Sequence, residues 1–177
     1  AMGFGMHPHD NMEIVTIPLK GGVKHRDSMG NEGVINAGEI QIMSAGKGIV
    51  HSEYNASTDE ELNLFQIWVF PKERNIQPHY DQRTFDLNAR KDKLQLLVSP
   101  GKEDGTLWIN QDAWFSMGNF SAGTVLNYKV KSAENGVYIM VVDGEVEIDG
   151  RKLGRRDAVG LYDTSDVKIT MNKDSEL

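Results

Sequence analysis

Five histidines occur in the 177 residues, and two of them form His7-Pro8-His9, while a third opens His51-Ser52-Glu53. On a β-strand, side chains at i and i+2 share a face, so each tripeptide presents two donors in one direction. If both strands line one barrel, three imidazoles and one carboxylate converge on a single point. Imidazole suits Fe, Ni, Cu and Zn, and the carboxylate moves the preference away from a soft, sulfur-rich site. Four protein ligands on an octahedral ion leave two positions for substrate and dioxygen. Open positions mark a catalytic centre rather than a structural one.

A lone HxH pair is weak, because with this many histidines it arises by chance in about one chain in nine. The second pair, on another expected strand after the turn Gly46-Lys47-Gly48, strengthens it. Pro8 lacks the N–H that a central strand needs, so its segment reads as an edge strand or a bulge. Glu13, four residues after His9 on what reads as one strand face, is a fifth ligand, a partner to a ligand or an exposed rim carboxylate. His25, just before a hairpin turn, reads as a surface residue or a support for a ligand. His79 reads as an exposed linker residue. Trp68, Trp108 and Trp114 read as core rather than as substrate platforms, and Arg155-Arg156-Asp157 as a solvated turn.

The elements that must position these residues read as strands. Turn chemistry recurs every eight to twelve residues or so, as in a β-sandwich or barrel. Gly21-Gly22, Met29-Gly30-Asn31 and Asn36-Ala37-Gly38 separate short apolar or alternating runs, and Asp143-Gly144 and Asp149-Gly150 bracket the alternating Glu145–Ile148. Residues 62–70 are largely apolar on both faces, as in a strand buried between two layers or lying at a domain junction. From Pro71 to Lys93 the chain turns polar and reads as a linker, with a second β unit beginning at Leu94. No window holds a capped period of 3.6, so an all-β fold is expected, divided into 1–86 and 87–177.

Composition removes other classes. Nineteen Lys+Arg against 26 Asp+Glu give a net charge of −7, which argues against direct nucleic-acid binding or an anionic membrane surface. With no cysteine there is no disulfide, thiolate zinc site, iron–sulfur cluster or cysteine nucleophile. No apolar run approaches the roughly 20 residues that span a bilayer, and no secretory signal is visible, so a cytoplasmic protein is expected. Gly-x-Ser-x-Gly, Walker and Gly-x-Gly-x-x-Gly motifs are absent.

His7-Pro8-His9, Glu13, the run His25-Arg26-Asp27-Ser28-Met29-Gly30-Asn31 and the run from Gln41 to Glu53 together resemble the pirin family of bicupins. The likeness is strong over 3–70, weaker through the second half, and directed to bacterial pirin-like quercetin 2,3-dioxygenases. Ala45-Gly46-x-Gly48-Ile49-x-His51-Ser52-Glu53 is its most specific part. The resemblance implies two double-stranded β-helix (jelly-roll-like) barrels, with one mononuclear metal in the first only. Carried over residue by residue, the metal ligands are His7, His9, His51 and Glu53. The implied ion is Fe(II); Ni, Cu, Mn and Zn suit related donor sets.

The implied chemistry is cleavage of the central heterocycle of a flavonol by dioxygen, with release of carbon monoxide and Glu53 accepting the hydroxyl proton. Family members carry a substantial segment before the His-Pro-His strand. Its strands are expected to be missing from the first barrel here, leaving an exposed edge and favouring a homodimer. A second reading is a metal-binding regulatory or interaction protein without turnover. A third, a cupin isomerase, would want pocket cations that only Lys47 could supply.

Overall fold

Short alternating or apolar segments punctuated by glycine turns form strands throughout the computed structural model, which describes residues 3–101 and 105–177. In order these are β1 (Gly3–His9), β2 (Glu13–Lys20), β3 (Gly22–Asp27), β4 (Glu32–Asn36), β5 (Glu39–Ser44), β6 (Ile49–Asn55), β7 (Asn63–Val69) and β8 (His79–Thr84). After a 3-10 turn at Leu87–Arg90 come β9 (Gln95–Ser99), β10 (Leu107–Trp108), β11 (Phe115–Met117), β12 (Asn119–Phe120), β13 (Val125–Lys129) and β14 (Val137–Met140). The last are β15 (Glu145–Ile148), β16 (Arg151–Gly154), β17 (Ala158–Leu161), β18 (Asp166–Met171) and β19 (Ser175–Glu176). Among the described residues no helix is long and apolar enough to cross a membrane.

The chain forms two compact units, one running to Asp86 with Leu96–Phe115 added, the other made of Leu87–Gln95 and Ser116–Leu177. The sequence suggests a single cut after residue 86; the structure instead packs 96–115 with the first unit. Hydrogen bonds hold that segment there: the Asn110 backbone N–H donates to the Glu13 carboxylate (3.1 Å), and the Lys72 N–H to the Asn110 carbonyl (2.7 Å).

In the first unit two four-stranded antiparallel sheets, ordered β1-β6-β3-β4 and β7-β2-β5-β8, are threaded by a chain that passes repeatedly from one to the other. Central strands β2 and β5 supply the core, with Ile14, Val15, Ile17, Ile40, Ile42 and Met43 almost fully buried. The apolar run 62–70 differs from expectation. It forms edge strand β7, half-buried rather than enclosed, with Trp68 54% and Phe70 77% exposed. An edge strand has a neighbour on one side only, so apolar character alone does not enclose it. Trp108 and Trp114 are also only part-buried. The expected linker 71–93 holds β8, whose polar residues 79–84 pair with β5 from Ser44↔His79 to Glu39↔Thr84. Pro8 does lie on an edge strand, and β1 shifts register against β6 between Phe4 and His7.

Gly46 closes the turn between β5 and β6 at φ +49°, in the left-handed region, and a Cβ there would collide with the Ile76 carbonyl oxygen. Its own carbonyl accepts the Asn11 N–H (2.8 Å), while Lys47 N–H donates to Ile76 (3.0 Å). Gly46→Ala should therefore cost roughly 1–3 kcal/mol of stability, read by denaturant unfolding. A change below about 0.5 kcal/mol would show that the turn yields freely.

The second unit contains the antiparallel sheet β13-β18-β15-β16 with the pairs β14-β17 and β12-β19. Asp149 (φ 50°) and Gly150 (φ 74°) make the tight turn joining β15 to β16, as an Asp-Gly pair between alternating strands predicts. Val141, Val146, Ile148, Val167, Ile169 and Met171 form its core. Arg155 and Arg156 are exposed in a turn, as read from the sequence.

Candidate metal centre

β1 and β6 pair antiparallel, with His7 opposite His51 and His9 opposite Ile49. Cross-strand pairing and the i, i+2 rule thus bring three imidazoles together on one face. Their ring centroids lie 4.3 Å (His7–His51), 5.0 Å (His7–His9) and 4.9 Å (His9–His51) apart. One ligand nitrogen from each lies within 4.8 Å of the others, and His25, His51 and Glu53 form a second such group through the shared His51. Of the expected ligands, His7, His9 and His51 fall in the first group and Glu53 in the second, with His51 common to both. Glu13 joins neither. That residue opens β2 in the other sheet and is fully buried, accepting from the Ser44 hydroxyl (2.7 Å) and the Asn110 N–H. It is neither a rim carboxylate nor on the strand of His9, because the chain changes sheets after β1. Burial pushes the Glu13 carboxyl up, against the pull of those two hydrogen bonds.

His51 is 1% exposed and Glu53 6%, while His7 and His9 are half-buried. Burial, reinforced by the neighbouring His7, His25 and His9, pushes the His51 imidazole down to about 3. Burial and His7 also lower His9. A neutral imidazole is the form that ligates a metal. His7 is oriented by its Nδ1, 2.7 Å from the Gly5 carbonyl. Donation there leaves Nε2 as the lone-pair nitrogen.

Of the two sequence readings of His25, the surface one fails. The side chain is fully buried, 5.4 Å from the His51 ring, with Nε2 3.2 Å from Asp27 Oδ2. Burial works to raise the Asp27 carboxyl, but hydrogen bonds from Asn31, His25 and Met29 outweigh it and hold it low. The missed signal was His25-x-Asp27, a second His-x-acid pair in register with Glu53 and His51. His79 lies on β8 rather than in a linker, half-buried with its ring 5.7 Å from Trp108.

Buried polar atoms normally find partners, and each failure costs about 1–3 kcal/mol. Here His9 Nε2, both ring nitrogens of His51 and Glu53 Oε1 are buried with no hydrogen-bond partner. Other buried atoms also lack partners, among them Glu13 Oε1 and Gln41 Nε2, but here four meet in neighbouring histidine and carboxylate side chains of a chain without cysteine, a donor set that fits a divalent transition ion. Exposed Phe4 (70%) stands 6.3 Å from His7, and Trp68 packs its ring edge-on to His9 at 4.9 Å.

Known proteins resemble this chain throughout. The family model described as Pirin matches residues 1–69, and that described as Quercetinase C-terminal cupin domain matches 96–177. The chain is 45% identical over 175 residues to a quercetin 2,3-dioxygenase from Escherichia coli (strain K12), covering 99% of this chain and 74% of that protein. It is 37% identical to a pirin-like protein from Caulobacter vibrioides, covering 99% and 75%. The crystal structure of YhhW from Escherichia coli superposes with a TM-score of 0.93 at 43% identity, over 99% of this chain and 74% of that one. The nickel(II) complex of the same bacterial pirin gives 0.91 at 42% identity, with the same coverage. The two units are accordingly cupin-type β folds, and with such identity running through both of them the chain belongs to the pirin family.

Proposed function

We propose that the chain is a metal-dependent dioxygenase that opens the central heterocycle of flavonols, with one ion held in the first unit by His7, His9, His51 and Glu53. The observation that carries this reading is the His7, His9 and His51 group joined through His51 to Glu53, in which His9 Nε2, both His51 ring nitrogens and Glu53 Oε1 are buried without a hydrogen-bond partner. The names of the relatives support the reaction class, and the nickel complex of YhhW supports a divalent ion. Fe(II) is the ion expected from the resemblance, and Ni(II) suits the same donors.

When bound, the ion supplies a Lewis-acidic centre that acidifies the flavonol 3-hydroxyl and brings substrate and dioxygen together. The chain's own groups do the rest. His51 stays neutral at working pH and so presents a lone pair rather than a competing proton. Glu53 Oε1, buried and unpartnered, accepts the hydroxyl proton. Exposed Phe4 and Trp68 stand beside His7 and His9 and offer apolar ring surface to a planar substrate. Both atoms of dioxygen stay in the ring-opened product, and one ring carbon leaves as carbon monoxide.

The test is metal content and quercetin-dependent oxygen uptake of protein purified without added metal. The expected result is one ion per chain, with uptake abolished by a chelator and restored by Fe(II) or Ni(II). A metal-loaded protein that consumes no oxygen with quercetin would instead be a metal-binding interaction protein.

A further inference from the structure

Glu53 is held from the opposite sheet by two residues of β7. The Gln66 side-chain Nε2–H donates to Glu53 Oε2 at 2.7 Å, and the Trp68 indole N–H donates to Gln66 Oε1 at 3.0 Å. Gln66 and Trp68 are two apart on one strand and therefore share its face. An indole nitrogen can only donate and an ionised carboxylate can only accept. The amide between them consequently has one satisfactory orientation. Flipped, it would set its NH2 against the indole N–H and its carbonyl against a carboxylate oxygen.

Resting on the metal-site reading above, we infer that Gln66 is a positioning residue for Glu53, with Trp68 locking its amide, so that Oε2 is tied toward β7 and Oε1 is the oxygen presented to the ion and the substrate proton. Two observations carry it. Oε2 has a short donor, whereas Oε1 is buried with none. The same Trp68 ring packs T-shaped against His9 at 4.9 Å, so one side chain touches an imidazole ligand candidate and, through Gln66, the Glu53 carboxylate. An oxygen has two acceptor directions, so Oε1 can serve both roles in turn. Partners that orient a ligand in this way change metal affinity by about 10–100-fold when removed.

The experiment measures Ni(II) affinity by chelator competition, and the ligand-field spectrum of bound Co(II), for wild type, Gln66→Met and Trp68→Phe. Gln66→Met keeps the volume and removes the donor; Trp68→Phe keeps an aromatic ring against His9 and removes the indole N–H. Gln66→Met should weaken Ni(II) binding by about 10–100-fold and shift the Co(II) spectrum. Trp68→Phe should do the same to a smaller extent, and it decides the matter if Gln66→Met fails to fold.

If Gln66 serves only to join the sheets, thermal unfolding of the apoprotein drops while affinity and spectrum stay at wild type, and the inference falls. Weakened Ni(II) binding in a protein that never consumes oxygen with quercetin upholds the inference and overturns only the dioxygenase reading. A wild-type protein with no affinity for Ni(II) or Co(II) overturns both.

Discussion

Glu53→Gln should lower quercetin-dependent oxygen uptake per bound metal ion by about 10²–10⁴-fold, the usual effect of removing a general base. The substitution keeps size and one oxygen but abolishes basicity. It also reverses part of the hydrogen-bond pattern. With Gln66 donating toward Oε2, a glutamine at 53 keeps that bond only by turning its own NH2 toward the place of Oε1. Metal content should therefore fall as well, though less than turnover does. Measuring both quantities on one preparation separates the effects. Wild-type turnover per bound ion would show that Glu53 is not the base.

His51→Ala should abolish most metal binding and remove activity in the same proportion, leaving turnover per remaining ion near that of wild type. His51 belongs to both candidate donor groups, so its loss breaks each of them. It also changes how stability responds to acid. An imidazole held at about 3 in the fold, against an ordinary 6.5, takes up a proton on unfolding at any pH between those values. The wild-type apoprotein should therefore lose stability as pH falls from about 6.5 toward 3, and His51→Ala should respond less steeply over that window. Urea unfolding of both apoproteins at several pH values checks this. If the two pH dependences are parallel, His51 does not stay neutral in the fold. If neither Glu53→Gln nor His51→Ala changes metal content, the cluster is not a metal site at all.

The donor pairs His7/His9 and His51/Glu53 are legible in the sequence because strand geometry is local. Two residues apart means one face, whatever surrounds the strand. The Asp149-Gly150 turn is legible for the same reason, since a positive φ at both positions is a property of those two residues and their immediate strands. The all-β class follows from many such local signals agreeing. The run from Ala45 to Glu53 also carries a packing demand: Gly46 is required where the turn meets Ile76.

What the tertiary structure alone decided concerns partners distant in sequence. Whether a polar segment is linker or strand depends on an available edge, and residues 79–84 found one on β5. Apolar residues 62–70 were left half-exposed because they form the sheet edge rather than its centre. The depth of His25 follows from lying between β4 and β6, and Glu13 meets the Asn110 N–H only because that distant segment returns to the first unit. The Trp68–Gln66–Glu53 chain joins two sheets, so no spacing along the sequence encodes it. Local periodicity determines which side chains a strand can offer together. Only the pairing of strands determines which of them meet, because a hydrogen bond needs both partners within about 3 Å and sequence distance does not measure that.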